Sequence, residues 1–178
     1  NYTAVFDPVA HKMLVFGGEV LGGLSADIAE FPLGPPPLVP RTVFASGAGP
    51  GPRYAPRAVW DPVRDRMLVF GGYDLKNGYR NDLWEYHPRP TPTWTLLSTL
   101  GVPPSPRFAG GLVLDAIRDR LIAFGGYSTD AFGNNQTAYD DLWSLPLSGP
   151  SAMTWQLLAP SGTPPAPPVK RGRPGTTG

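Results

Sequence analysis

The chain has 178 residues, and its 24 Pro and 22 Gly make up about a quarter of them. Such a share without a period marks disordered chains, but 41% hydrophobic and 11% aromatic residues supply the apolar surface for a core. A formal charge of +1 favours neither nucleic acid nor a membrane surface as partner, and the absence of Cys excludes disulfides, thiolate metal sites and a cysteine nucleophile.

The Pro and Gly therefore punctuate many short strands. In chain order, an apolar run at Val15-Phe16 ends in Gly17-Gly18, and Arg41 to Phe44 reads as a later strand. Arg57 to Trp60 reads as a strand, Asp61 to Arg66 as a tight polar turn, and Met67 to Phe70 as a strand covered on both faces. Asp82 to Tyr86 and Thr93 to Leu97 follow as further strands. No stretch holds a helical period, and no apolar run approaches the roughly 20 residues of a membrane helix. The opening Asn1 to Val5 lacks the basic-then-apolar order of a signal peptide, so a mature product or a piece of a longer chain is expected.

Self-comparison gives the organisation. Phe6-Asp7-Pro8, Trp60-Asp61-Pro62 and Leu114-Asp115-Ala116 stand 54 residues apart, as do Val15-Phe16-Gly17-Gly18, Val69-Phe70-Gly71-Gly72 and Ala123-Phe124-Gly125-Gly126. Asp82-Leu83-Trp84 recurs as Asp141-Leu142-Trp143, and weakly as Asp27-Ile28-Ala29. Thr93 to Leu97 recurs as Thr154 to Leu158, and Pro52-Arg53-Tyr54 as Pro106-Arg107-Phe108. Units of about 50 residues with four short strands are the signature of β-propeller blades.

An apolar run ending in Gly-Gly, an aromatic in the third strand and a Trp in the fourth resemble the kelch repeat, within the superfamily of galactose oxidase-like propellers. Gly71-Gly72, Tyr86 and Trp94 carry the resemblance in the second unit, and Gly125-Gly126, Trp143 and Trp155 in the third. The first unit keeps Gly17-Gly18 but has no Trp in its fourth strand. The expected fold is all-β, with about three four-stranded antiparallel blades at residues 1–53, 54–107 and 108–171, then a tail or further unit at 172–178. These form part of a longer propeller, half of a ring completed by a second copy, or an otherwise closed assembly. The pairs Asp7 with Lys12, Asp61 with Arg66 and Asp115 with Arg120 are expected to close the turn of each unit.

The resemblance implies that function sits on the face shared by the second-to-third-strand loops and the blade-to-blade connectors. The loops from Gly18 to Asp27, Gly72 to Asp82 and Gly126 to Asp141 hold eight, nine and fourteen residues between these ends. They offer Tyr73, Asp74, Lys76, Tyr79, Arg80, Tyr127, Asp130, Phe132, Asn134 and Tyr139, with Asn77-Gly78 as a turn tip. Arg53 and Arg107 in the connectors are candidates for binding a carboxylate or phosphate at the channel mouth, or for contacts between blades.

No catalytic constellation, phosphate-binding loop or calcium-loop spacing occurs, and His11 and His87 do not pair by repeat position. No metal site and no cofactor is implied; the Tyr–Cys cofactor of copper radical oxidases is impossible without Cys. The basic cluster Lys170-Arg171-Gly172-Arg173 reads as a chain end. The reading is a non-catalytic module for a protein or peptide partner. The alternative is an enzyme or carbohydrate-binding domain with a pocket at the channel mouth, taking a small molecule or glycan.

Overall fold

The computed structural model describes residues 1–129 and 136–159. Among these, every regular element is a strand. The first sheet contains β1 (Thr3–Asp7), β2 (Lys12–Phe16), β5 (Ile28–Pro32) and β6 (Arg41–Val43), with a two-stranded ribbon of β3 (Glu19–Val20) and β4 (Gly23–Leu24) inserted between β2 and β5. The second contains β7 (Arg57–Asp61), β8 (Arg66–Asp74), β9 (Gly78–His87) and β10 (Thr93–Leu97). The third contains β11 (Gly111–Asp115), β12 (Arg120–Thr129), β13 (Gln136–Pro146) and β14 (Gln156–Leu158).

Each sheet runs in sequence order and is antiparallel throughout. Each places its first strand at one edge, and β7 lies between β1 and β11. The three sheets thus stack as blades with their first strands converging, which matches the expected propeller architecture. The ribbon β3–β4 is an addition within what the sequence offers only as a loop.

The blades are held by two apolar layers. Leu14, Phe16 and Ile28 of blade 1 meet Met67, Val69, Tyr86 and Trp94 of blade 2. Leu68, Phe70 and Leu83 of blade 2 meet Leu121, Leu145 and Trp155 of blade 3. Alternate residues of β8 feed opposite layers because side chains alternate across a strand. That is why Met67 to Phe70 is apolar at every position, and all four are buried.

The double glycines have a steric cause. A Cβ on Gly71, at φ +65°, would lie 2.8 Å from the Arg107 carbonyl oxygen, and one on Gly17 would lie 2.9 Å from that of Arg53. The first glycine thus admits the next connector's main chain. β8 and β9 change register between Phe70 and Gly72, as β12 and β13 do between Phe124 and Gly126. Past this irregularity each hairpin projects beyond the blade.

One expected pairing is corrected. Asp61 accepts from Arg66 Nε at 3.0 Å and Asp115 from Arg120 Nε at 3.0 Å, as the turn reading requires. Lys12, however, pairs with Glu30 on the neighbouring β5, and the Asp7 carboxylate is held by Arg89 of blade 2 at 2.7 and 2.9 Å. Asp7 is fully buried, and a bidentate guanidinium from the next blade satisfies it better than a single ammonium. Its Oδ1 still caps the turn, accepting from the Val9 and Ala10 amides.

Candidate functional site

The hairpins and connectors meet at one end of the blades. There Arg53 and Arg107 occupy equivalent places, and neither is an open ligand site. Arg53 is 1% exposed and donates to both Asp82 carboxylate oxygens at 2.5 and 2.7 Å, to the Gly71 carbonyl at 2.9 Å and to the Pro50 carbonyl at 2.8 Å. Arg107 repeats this with Asp141, the Gly125 carbonyl and the Ser105 carbonyl. Both guanidinium groups are engaged by the scaffold, in the inter-blade contacts that the sequence offers as one of their two roles.

Each arginine also ties its main chain to the preceding blade. The Arg53 carbonyl accepts from Gly18 N at 2.7 Å and its amide donates to Ser25 O. The Arg107 carbonyl accepts from Gly72 N and its amide donates to Arg80 O. Burial alone would raise the Asp82 carboxyl, but hydrogen bonds and charge from Arg53 and the Trp84 indole N–H hold it below the usual carboxylate range. Asp141 is held down in the same way by Arg107 and Trp143.

These rivets place the residues that follow them. Tyr54 and Tyr73 exchange backbone hydrogen bonds, as do Phe108 and Tyr127. Tyr73 faces Tyr79 across the β8–β9 hairpin. The rings of Tyr54, Tyr73, Tyr79 and Phe108 line an almost wholly apolar pocket of about 260 Å³. Tyr79 stacks on Phe108 with centroids 5.6 Å apart and planes at 28°, while Tyr73 lies 5.0 Å from Tyr79 and Tyr54 5.8 Å from Phe108. Tyr127 borders the group at 6.3 Å from Phe108 and remains 40% exposed. The Tyr79 hydroxyl meets Thr129 Oγ1 at 2.6 Å, joining the hairpins of blades 2 and 3.

The structure therefore brings Tyr73, Tyr79 and Tyr127 together and adds Tyr54 and Phe108, which sequence reasoning treated only as repeat markers. Their signal was present: each follows a repeated Arg that anchors the connector. Asp74, Lys76 and Arg80 lie on the other side of the β8–β9 hairpin, and Tyr139 packs under the Arg107 guanidinium at 4.0 Å. Asp130, Phe132 and Asn134 lie outside the described residues, as does the 170–173 basic cluster. Among the described residues no group of three His, Asp or Glu side chains is placed to hold a metal ion, and no helix is long and apolar enough to cross a membrane.

The blades and their converging first strands define a β-propeller-type repeat domain. The KLHDC2/KLHL20/DRC7 Kelch-repeats domain matches residues 4–173, and the chain belongs to the Kelch-repeat family. Kelch-repeat domains are generally protein-interaction modules. It is 36% identical over 105 residues to acyl-CoA-binding domain-containing protein 4 of Arabidopsis thaliana, covering 59% of this chain and 14% of that protein. It is 33% identical over 95 residues to multiple epidermal growth factor-like domains protein 8 of Mus musculus, covering 53% of this chain and 3% of that protein. It is 39% identical over 82 residues to Kelch domain-containing protein 1 of Mus musculus, covering 44% of this chain and 20% of that protein. The solved structure of YjhT superposes with a TM-score of 0.64 at 16% identity, over 90% of this chain and 50% of that one. The chain thus spans a fifth or less of these curated relatives and half of that solved chain.

Proposed function

We propose that the chain is a protein-interaction module, and that the aromatic pocket of Tyr54, Tyr73, Tyr79 and Phe108 anchors its partner. The observation that supports this is the convergence of four rings from two connectors and one hairpin on a single apolar recess. Aromatic rings give large contact area at small entropic cost, and a recessed cluster is where binding energy concentrates. The rings sit on a rigid base, because the adjacent connectors are fixed by Arg53 and Arg107. An apolar or aromatic side chain of a polypeptide partner fits this recess.

Quantitative affinity capture from lysate of the source organism, comparing the natural chain with Tyr79→Ala and Phe108→Ala, tests this reading. A partner retained by the natural chain and lost with both variants supports it, provided circular dichroism is unchanged. The same partners retained at the same level by both variants would overturn it. A carbohydrate ligand is the alternative for the same ring faces, since stacked Tyr79 and Phe108 offer flat apolar surface. A glycan array with the same two variants separates the two.

A further inference from the structure

The β8–β9 hairpin has two faces. Tyr73 pairs with Tyr79 and points into the aromatic pocket, while the flanking pairs Gly72 with Arg80 and Asp74 with Gly78 lie on the opposite side. On that side the hairpin faces blade 1 across a groove of about 600 Å³. Its far wall is rich in glycine, with Gly22, Gly23 and Leu24 of the β3–β4 ribbon beside the Gly49-Pro50-Gly51-Pro52 connector.

The charges along this groove do not cancel. Asp82 is fully engaged, with both oxygens held by Arg53 and one also by the Trp84 N–H at 2.8 Å. The Asp74 carboxylate closes the hairpin turn, accepting from Lys76 N at 2.7 Å and Asn77 Nδ2 at 2.6 Å. Among the described residues, the Arg80 side chain has one ion pair, a 3.5 Å contact to Asp82, and its buried Nε has no hydrogen-bond partner. Lys76 is exposed at the tip and forms no ion pair among the described residues. Arg53, Lys76 and Arg80 thus stand against Asp74 and Asp82 along the groove, which leaves one positive charge in excess.

We propose that this groove binds an acidic polypeptide segment, whose Asp or Glu carboxylates meet Arg80 at the floor and Lys76 at the rim. The Arg80 side chain is 35% exposed and held by a single loose ion pair, so a peptide carboxylate can reach its guanidinium and form charge-assisted hydrogen bonds. The groove is far larger than one anion, and its glycine wall lets a peptide main chain approach closely. This goes beyond the aromatic pocket: the two surfaces share a hairpin and no recognition residue, so either test can fail alone.

The test is fluorescence anisotropy with a labelled twelve-residue Glu-Gly repeat peptide, its Gln-Gly counterpart, and sodium phosphate as competitor. The expected result is binding of the Glu peptide, weakened by added salt, with the Gln peptide at least about tenfold weaker. Arg80→Gln and Lys76→Glu should each weaken the Glu peptide about tenfold or more. Lys76 sits at an exposed tip, so its variant reports on the groove even where Arg80→Gln disturbs folding. Equal binding of both peptides, unchanged affinity in Lys76→Glu, or displacement by low-millimolar phosphate would overturn the proposal.

Discussion

The Phe70 ring lies against the Trp155 indole at 5.4 Å across the junction of blades 2 and 3. Phe16 meets Trp94 at 5.1 Å across the junction of blades 1 and 2. The Phe before the Gly-Gly pair of one blade thus keys into the Trp at or just before the start of the next blade's fourth strand. Phe124 holds the equivalent place in blade 3 and is 53% exposed. Phe70→Ala and Phe16→Ala should each cost about 3–5 kcal/mol in urea unfolding, while Phe124→Ala should cost less than about 1 kcal/mol. Equal costs at all three positions would contradict the keying.

Arg53 offers a second prediction. Its removal leaves the Asp82 carboxylate and the Gly71 carbonyl short of donors in a buried setting. Arg53→Ala should therefore destabilise the chain by about 3–5 kcal/mol, and Arg53→Lys should recover only part, because an ammonium cannot supply the same fork. Urea midpoints of the two variants check this.

Acid stability follows from the carboxylates. The Arg64 fork, with a hydrogen bond from Ser148, lowers Asp119 from 3.8 to about 2, and Asp82 and Asp141 are also lowered. A lowered folded-state pKa contributes stability above the unfolded value and loses it as pH falls through the folded one. The melting temperature should hold steady down to about pH 4 and drop between about pH 4 and pH 2. Asp119→Asn should be less stable at pH 6 and show a shallower acid decline. A melting temperature that rises on acidification would contradict the assignment.

The glycines separate strain from collision. Gly71 and Gly78 both have positive φ, at 65° and 76°, but only Gly71 has a carbonyl within 3 Å of an added Cβ. Gly78→Ala should cost about 1–2 kcal/mol from backbone conformation alone. Gly71→Ala should cost several kcal/mol more and disturb the Arg107 connector, visible as a loss of cooperativity in thermal unfolding.

Much of this architecture is legible in the sequence because it repeats. Met67 to Phe70 reads as a strand covered on both faces, and its alternate residues do feed two layers. The Asp61–Arg66 turn is legible for the same reason: both partners lie within six residues. The Asp7 partner is not, because Arg89 reaches it from 82 positions away and nothing local marks the pairing. Arg53 and Arg107 stand out as repeated cations, yet their burial depends on where the third strand brings Asp82 and Asp141. Tyr73 and Tyr79 stand out as loop aromatics. That Tyr54 and Phe108 join them depends on how the connectors cross the hairpin, which spacing along the chain does not express.

Arg53 and Arg107 have a mechanical consequence. Each fastens its main chain to one blade and its side chain to the next, so a stretching force along the chain loads an arginine fork at each blade junction. Extension should then proceed in discrete yields rather than as a gradual slide, each freeing one 54-residue repeat, or about 180 Å of contour length. The load at each yield is shared between that bidentate ion pair and the apolar layer of the same junction.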